Sequence, residues 1–332
     1  MANVITSVAT QAKPDFELYL KPLIEDPQIN QLPFDIILGK YQGKELYFNT
    51  QLDKITSKKI DCGWTFAGSS TFTKKTITPV QLQASVEQCH EVFKETIFAK
   101  DFADGWKRGE LTPELLAFMA EQRAYAFNRD LLSFLFLGDT VSANSYYTPL
   151  DGVYKKLKAG ANAADGTVNA GAITAANMNA SNFFTTMKTV YDAQTRFLKQ
   201  LPKERKAWIV TEAVYDAYIN YLYVSTQTNA GVIQRESIVA GLEAPTFMGI
   251  PVVVAKIVDE RLEADFTNSS GVINPYRVIL TDPTNHKIML DGDGFLSELA
   301  WYENKDDKYY LAGSALLAYE YGYGELNVIA GF

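Results

Sequence analysis

Apolar and polar positions alternate most sharply between Pro79 and Glu87, where Val80, Leu82, Ala84 and Val86 are interleaved with Gln81, Gln83, Ser85 and Glu87. A period of two turns one set of side chains to each face and predicts a half-buried strand. The stretch from Cys89 to Ala99 reads as a helix, followed by a polar turn at Asp104 to Gly109. Thr112 and Pro113 then supply an N-cap and a first-turn proline. Leu116, Ala120, Ala124, Phe127, Leu131 and Leu135 recur on one helical face until Gly138. The predicted helix, Thr112 to Leu137, is a rod about 38 Å long at about 1.5 Å per residue, long enough to act as a spine.

The flanking patterns differ. Pro14, Pro22 and Pro27 punctuate an opening of scattered apolar residues (Phe16, Leu18, Leu20, Leu23), which reads as an extended arm. Between Phe34 and Thr76, β-favouring pieces (DIILGKY, KELYFNT, TFTKKTI) separated by Gly39, Gly43, Gly63 and Gly68 predict hairpins with little apolar surface of their own. Gly138 to Asn177 is rich in Gly, Ala, Asn, Thr and Ser and reads as loops and a crossover. Ser181 or Asn182 caps a helix carrying Phe184, Met187, Tyr191 and Leu198. A strand at Ala207–Val210, a helix from Glu212 to about Tyr223 and a polar loop through Arg235 come next. MGIPVVVAKIV (248–258) reads as a turn and a buried strand. From Tyr276 the chain is rich in strands, broken by turns at Asp282-Pro283 and Asp291-Gly292-Asp293-Gly294. The fold class is therefore α+β, with strands at both ends of a helical middle and no internal repeat.

Composition narrows the function classes. The 332 residues are 47% hydrophobic and 21% charged, which fits a globular chain of one large or two modest domains. No run of eighteen apolar residues exists, and the opening lacks a basic stretch followed by an apolar one, so neither a membrane span nor a signal peptide is expected. With 31 basic against 39 acidic side chains, a net charge of −8, and no cluster of five or more basic residues, tight duplex binding is disfavoured. Two cysteines, Cys62 and Cys89, build no disulfide framework and read as free buried thiols in a reducing environment. Aromatic residues reach 13%, a content suited to large cores and to protein interfaces.

Chemistry finds little support. The only histidines are His90 and His286, and neither they nor the cysteines fall in a zinc-binding spacing. A Cys–His pair such as Cys62 with His286 would have to be made by the fold, without a local signature. Asp291-Gly292-Asp293-Gly294 opens like a calcium loop but has Phe295 at position five and Tyr302 at position twelve, so it reads as a tight turn. Gly322 and Gly324 flank Tyr323 in a strand-like segment and do not cradle phosphate. No nucleotide-binding or serine-hydrolase motif occurs. Asp259 with Glu260 and Asp306 with Asp307 read as solvated turn charges. No catalytic, cofactor-binding or metal-binding residue is assigned, and no cofactor is implied.

The order of segments carries more information. TITPVQLQASVEQC, the long helix ending FLFLGDT followed by TPLDGVYKKL, AWIVTEAVYDAYINYL, APTFMGIPVVVAKIVDERL and VILTDPTNHKIMLDGDG resemble successive parts of the major capsid proteins of tailed bacteriophages, whose fold is named after phage Hong Kong 97. The similarity spans about Thr71 to Gly331. At the spine terminus Leu137, Gly138 and Asp139 match the family pattern, while Thr140 replaces its second glycine. The resemblance implies an N-terminal arm (1–33), an E-loop (34–76), a peripheral domain with the spine helix (77–160), an axial domain (161–275) and returning peripheral strands (276–332). It implies a structural, non-enzymatic protein that assembles as hexamers and pentamers into an icosahedral shell around double-stranded DNA. The shell would be built in the host cytoplasm and end as the virion capsid. Its partners would be further copies of itself, a separate scaffolding protein, a portal, decoration proteins and, weakly, the packaged DNA. Lys54, Lys58 and Lys59 are available for the isopeptide cross-link of certain relatives, but no matching asparagine or acid aligns, and no cross-link is expected. An encapsulin-like compartment is the nearest alternative, although the opening shows no cargo-docking helix; a soluble enzyme is the other.

Overall fold

Two sheets and one long helix organise the chain. The computed structural model describes residues 32–39, 43–49, 72–89, 113–163, 165–224, 245–268, 271–272, 274–291, 299–303 and 308–332. The strands are β1 Asp35–Gly39, β2 Lys44–Asn49, β3 Phe72–Ile77, β4 Val80–Cys89, β5 Val168–Asn169, β6 Ala207–Val210, β7 Thr246–Phe247, β8 Ile250–Val254, β9 Thr267–Asn268, β10 Gly271–Val272, β11 Val278–Thr281, β12 His286–Asp291, β13 Leu299–Glu303, β14 Lys308–Tyr321 and β15 Asn327–Ala330. The α-helices are α1 Pro113–Leu137, α2 Val153–Ala163, α3 Phe183–Asp192, α4 Arg196–Gln200, α5 Glu212–Val224 and α6 Lys256–Asp265.

The first sheet is built on β14. Along one edge β14 pairs antiparallel with β4 (Leu311↔Val86, Leu317↔Val80). Leu317 also pairs with Leu290, so β12 lies on the opposite edge, and β1 runs parallel to β12 (Ile37↔Met289). The second sheet has the order β5-β15-β11-β6-β8-β7, with Ile279 paired to both Ile329 and Ile209.

Strand alternation in the second sheet makes it a wall between two cores. Ile209, Ile279 and Ile329 face a core shared with Leu131 and Leu135 of α1, Val153 and Leu157 of α2, Val258 and Leu262 of α6, and Ile288, Leu317 and Tyr319 of the first sheet. Trp208, Val210, Val278, Leu280 and Val328 face a second core with Phe183, Met187, Leu198, Val214 and Tyr218. A sheet covered on both faces reads as continuous apolar runs, which is why AWIV, VILT and NVIA carry little polar alternation.

Several expectations hold and several are corrected. The spine helix occupies Pro113–Leu137, 25 residues, and buries Phe127, Leu131 and Leu135 as predicted. Ala124 is exposed, however, and Arg123 takes its place inside at 2% exposure. The segment read as loops after Gly138 contains α2, whose few large side chains fall at Val153, Tyr154 and Leu157 and are all buried. The strand after the Met248-Gly249 turn ends at Val254, and the residues from Lys256 onward form α6. The helix expected from Phe184 to Leu198 is two helices. α3 buries Phe183, Met187 and Val190 and leaves Phe184 exposed, while Thr195 caps α4 by accepting from the Leu198 amide at 3.1 Å. Cys89 closes β4 rather than opening a helix, and the rest of the helix expected up to Ala99 lies outside the described residues.

Candidate assembly surfaces

The β2–β3 hairpin lies outside the two large cores. DIILGKY is not part of it, because β1 pairs with β12, whereas β2 and β3 pair with each other from Lys44↔Ile77 to Asn49↔Phe72. Parity divides the hairpin into two faces. Leu46 and Ile77 turn inward and pack on Met289, Ala318 and Ile37, the face of the first sheet opposite α1. Lys75 shares that face: its ammonium donates to the Tyr321 carbonyl at 3.0 Å and lies 4.1 Å from the Tyr321 ring centre, and burial lowers its pKa. Glu45, Tyr47 and Lys74 face outward. The Lys74 ammonium, and after it the Tyr47 hydroxyl, bind the Glu45 carboxylate and hold its pKa below the ordinary value. Residues 50–71, including Cys62 and the three lysines Lys54, Lys58 and Lys59, lie outside the described residues.

A second outward feature is the turn that ends α1. The Gly138 amide closes the last helical turn on Phe134 at 3.0 Å, and the Gly152 amide donates to the Gly138 carbonyl at 2.9 Å. A side chain on Gly138 would meet the Leu150 and Phe134 carbonyls at 2.5 Å, so the close approach of these two backbones requires glycine. Thr140, the departure from the family pattern, donates to Asp151 through both its amide and its hydroxyl, each at 2.9 Å. Burial works against a charge on Asp139, but Lys155 at 2.9 Å and the Val141 amide outweigh it and keep the pKa low. Beyond this turn Val141 is 77% exposed. Arg261 of α6 ties the spine from its side, donating to Asp130 at 3.0 Å and to Ser133 at 3.1 Å. Nothing in the sequence pattern pairs these positions, since they lie more than a hundred residues apart.

The residues weighed for chemistry do not converge. His286 is fully buried and fully committed. The Asn327 amide donates to the Tyr323 carbonyl at 3.0 Å, which turns its oxygen toward Thr281; Thr281 donates to that oxygen at 2.7 Å and accepts from His286 Nε2 at 2.8 Å. Nδ1 is thereby left to accept from the Tyr319 hydroxyl at 2.6 Å. With Phe34 stacked on the ring at 5.0 Å, the imidazole is neutral, burial pushes its pKa down to about 4, and it has no nitrogen left to activate a thiol. Cys89 is free and half-buried rather than buried. Asp259 is not a solvated turn charge: it is buried and accepts from the amides of Glu212 at 2.6 Å and Ala213 at 3.3 Å, capping α5. Burial dominates over these two bonds and raises its pKa to about 6. His90, Asp306, Asp307 and Gly292 to Gly294 lie outside the described residues. Among the described residues no group of three His, Cys, Asp or Glu side chains is placed to hold a metal, and no helix is long and apolar enough to cross a membrane.

The comparisons agree with this arrangement of sheets, spine and hairpin. No protein-family model and no curated protein matches the chain. Solved structures do match: this is the Hong Kong 97-type capsid fold, of class α+β. The capsid of Myoviridae phage XM1 superposes with a TM-score of 0.58 at 12% identity, covering 95% of this chain and 96% of that one. The capsid of a native GTA particle gives 0.56 at 14% identity, covering 96% and 94%. The procapsid of satellite phage P4, solved with its size determination protein, gives 0.57 at 10% identity, covering 99% and 89%. At these identities what is shared is the fold.

Proposed function

We propose that this chain is a structural protein, the major capsid subunit of a tailed phage or a phage-like particle, which self-assembles as hexamers and pentamers into a closed shell. The observation that carries the reading is the match over nearly the full length of both chains to subunits of assembled capsids, TM-score 0.58 with phage XM1. In this reading residues 1–33 are the arm, 34–76 the E-loop, 77–160 and 276–332 the peripheral domain, and 161–275 the axial domain. β1 then serves as the strand that anchors the E-loop to the peripheral sheet. A scaffolding protein, a portal and decoration proteins are the partners this role calls for, and the particle would assemble in a bacterial host. Exposed apolar side chains at Leu38 (67%), Tyr47 (63%) and Phe197 (43%) support it, because they lie outside both cores and want a partner.

Negative-stain electron microscopy with light scattering on the purified protein tests the reading. Closed shells, or rings of five or six subunits, are expected, with nucleic acid in particles recovered from their native source. A monodisperse monomer or dimer that stays so on concentration and with a scaffold would overturn it. Native shells that hold a protein cargo and no DNA would replace phage capsid by encapsulin.

A further inference from the structure

The last three residues of β14, Tyr319 to Tyr321, are gripped from three sides. From α2, Lys156 donates to the Tyr319 carbonyl at 2.6 Å and to Glu320 at 2.7 Å. From the hairpin, Lys75 donates to the Tyr321 carbonyl at 3.0 Å and sets its ammonium 4.1 Å from the centre of the Tyr321 ring. From the connection between α2 and β5, Asp165 accepts from the Tyr321 hydroxyl at 2.5 Å. The other Asp165 oxygen accepts from the Thr167 amide at 2.9 Å, just before β5, which pairs with β15 in the second sheet (Val168↔Val328). One tyrosine thus meets the hairpin with its ring face and carbonyl, and the edge of the second sheet with its hydroxyl. Tyr321 is buried and Asp165 is exposed, so the far end of this chain of bonds can be reached from outside the subunit.

We propose that Tyr321 is the latch of a relay through which the α2–β5 connection sets how tightly the β2–β3 hairpin is held on the first sheet. The relay lies within one subunit and does not depend on the shell-building reading. Lys75 is the link that can let go. Taking its ammonium out of water is unfavourable, and burial lowers its pKa; the charges of Glu320 and Asp165 act the other way, and Lys156 adds to the penalty. The ring attracts the ammonium only while its face stays beneath the charge, and the Asp165 bond at the ring's outer end holds it there. When that bond is lost the ring is free to tilt, the ammonium keeps only the Tyr321 carbonyl, and water becomes the better partner. Leu46 and Ile77, the other described hairpin residues turned inward, touch neither Asp165 nor the Tyr321 hydroxyl, so the signal passes through Lys75.

Amide hydrogen exchange on the full-length protein tests the relay, with each variant and wild type compared in the same assembly state. Asp165→Ala, at a residue that bonds no hairpin atom, should raise exchange in β2 and β3 about fivefold. Tyr321→Phe, which keeps the ring and the carbonyl and loses only the hydroxyl, should raise it about threefold, and both variants should leave β6 and β11 unchanged. In a Lys75→Ala background Asp165→Ala should add nothing in the hairpin, because the link it acts through is gone. Lys156→Met removes a bond to the same end of β14 together with a like charge beside Lys75, and should leave hairpin exchange unchanged or slow it. Acceleration confined to residues 165–169 and β14 overturns the proposal, and so do effects that add to that of Lys75→Ala. Hairpin loosening by Lys156→Met equal to that by Asp165→Ala also overturns it, since it would show general fraying at the end of β14. If Asp165→Ala does not fold, Tyr321→Phe decides the question by the same readout.

Discussion

His286 shows how a residue that looks reactive in sequence is made inert by its surroundings. Its ring is fixed as the neutral Nε2–H form by a chain of bonds that starts at the Asn327 amide, and burial lowers its pKa from 6.5 to about 4. Because the unfolded chain takes up a proton near 6.5 and the folded chain does not until about 4, the stability this site contributes is complete above pH 6.5 and is lost as the pH falls toward 4. The span corresponds to about 3 kcal/mol. Asp259 acts in the opposite sense: its pKa is raised from 3.8 to about 6, so its share is present at low pH and lost as the pH rises through 6. The difference between wild type and His286→Gln isolates the histidine. Urea denaturation of the unassembled subunit should show wild type losing its advantage over the variant between pH 6.5 and 4.5. An advantage independent of pH would contradict the assignment. Gly331 makes a second prediction at this scale. Its φ is +83° and an added Cβ would lie 1.9 Å from the Tyr276 carbonyl, a collision with backbone that no rotamer relieves. Gly331→Ala should cost at least about 2 kcal/mol, read as a lowered thermal midpoint.

At the scale of elements, the two sheets differ in what holds them. Ile279 is fully buried at the centre of the second sheet and contacts its neighbours on both sides, so Ile279→Ala should cost roughly 2–5 kcal/mol in denaturant titration. The hairpin is attached through Leu46, Ile77 and Lys75 alone among its described inward residues. Lys75→Ala should therefore raise amide exchange in β2 and β3 about tenfold and leave β6, β11 and β15 unchanged. Uniform acceleration in all five strands would show that the base is not a separate attachment. These elements also show what could be read from sequence. Strands β4, β6, β11 and β15 and helix α1 were legible because each declares itself by local period or by an unbroken apolar run between turn residues. Helix α2 was not, because its three large apolar side chains are diluted by lysine, glycine and alanine, and it becomes a helix by packing on α1. The partner of β1 was hidden for a different reason: Ile37 pairs with Met289, 252 residues away, and no local pattern encodes such a distance. Of the candidate surfaces, a hairpin between Phe34 and Thr76 is legible in sequence, without the departure of β1 to pair with β12, whereas the inward turn of Lys75 and the Arg261 tie to the spine exist only in the fold.

At the scale of the whole molecule, the proposed role gives assembly the features left over by folding. A chain with 13% aromatic residues places most of the described ones in two cores yet leaves Tyr47 and Phe184 exposed. Removing such a group costs the isolated subunit little, within about 0.5 kcal/mol, and costs an interface more. Tyr47→Ser should leave the subunit's thermal midpoint unchanged and raise the protein concentration needed for shells, measured by light scattering. Equal effects on both would place Tyr47 in the fold rather than in a contact. The most direct measurement is a cryo-electron microscopy reconstruction of the assembled particle. The account predicts an icosahedral lattice of hexamers and pentamers in which every subunit keeps the two sheets and the spine described above, and in which the β2–β3 hairpin of each lies on its neighbour. A lattice in which the hairpin folds back on its own subunit, or a purified protein that forms no lattice at all, would contradict it.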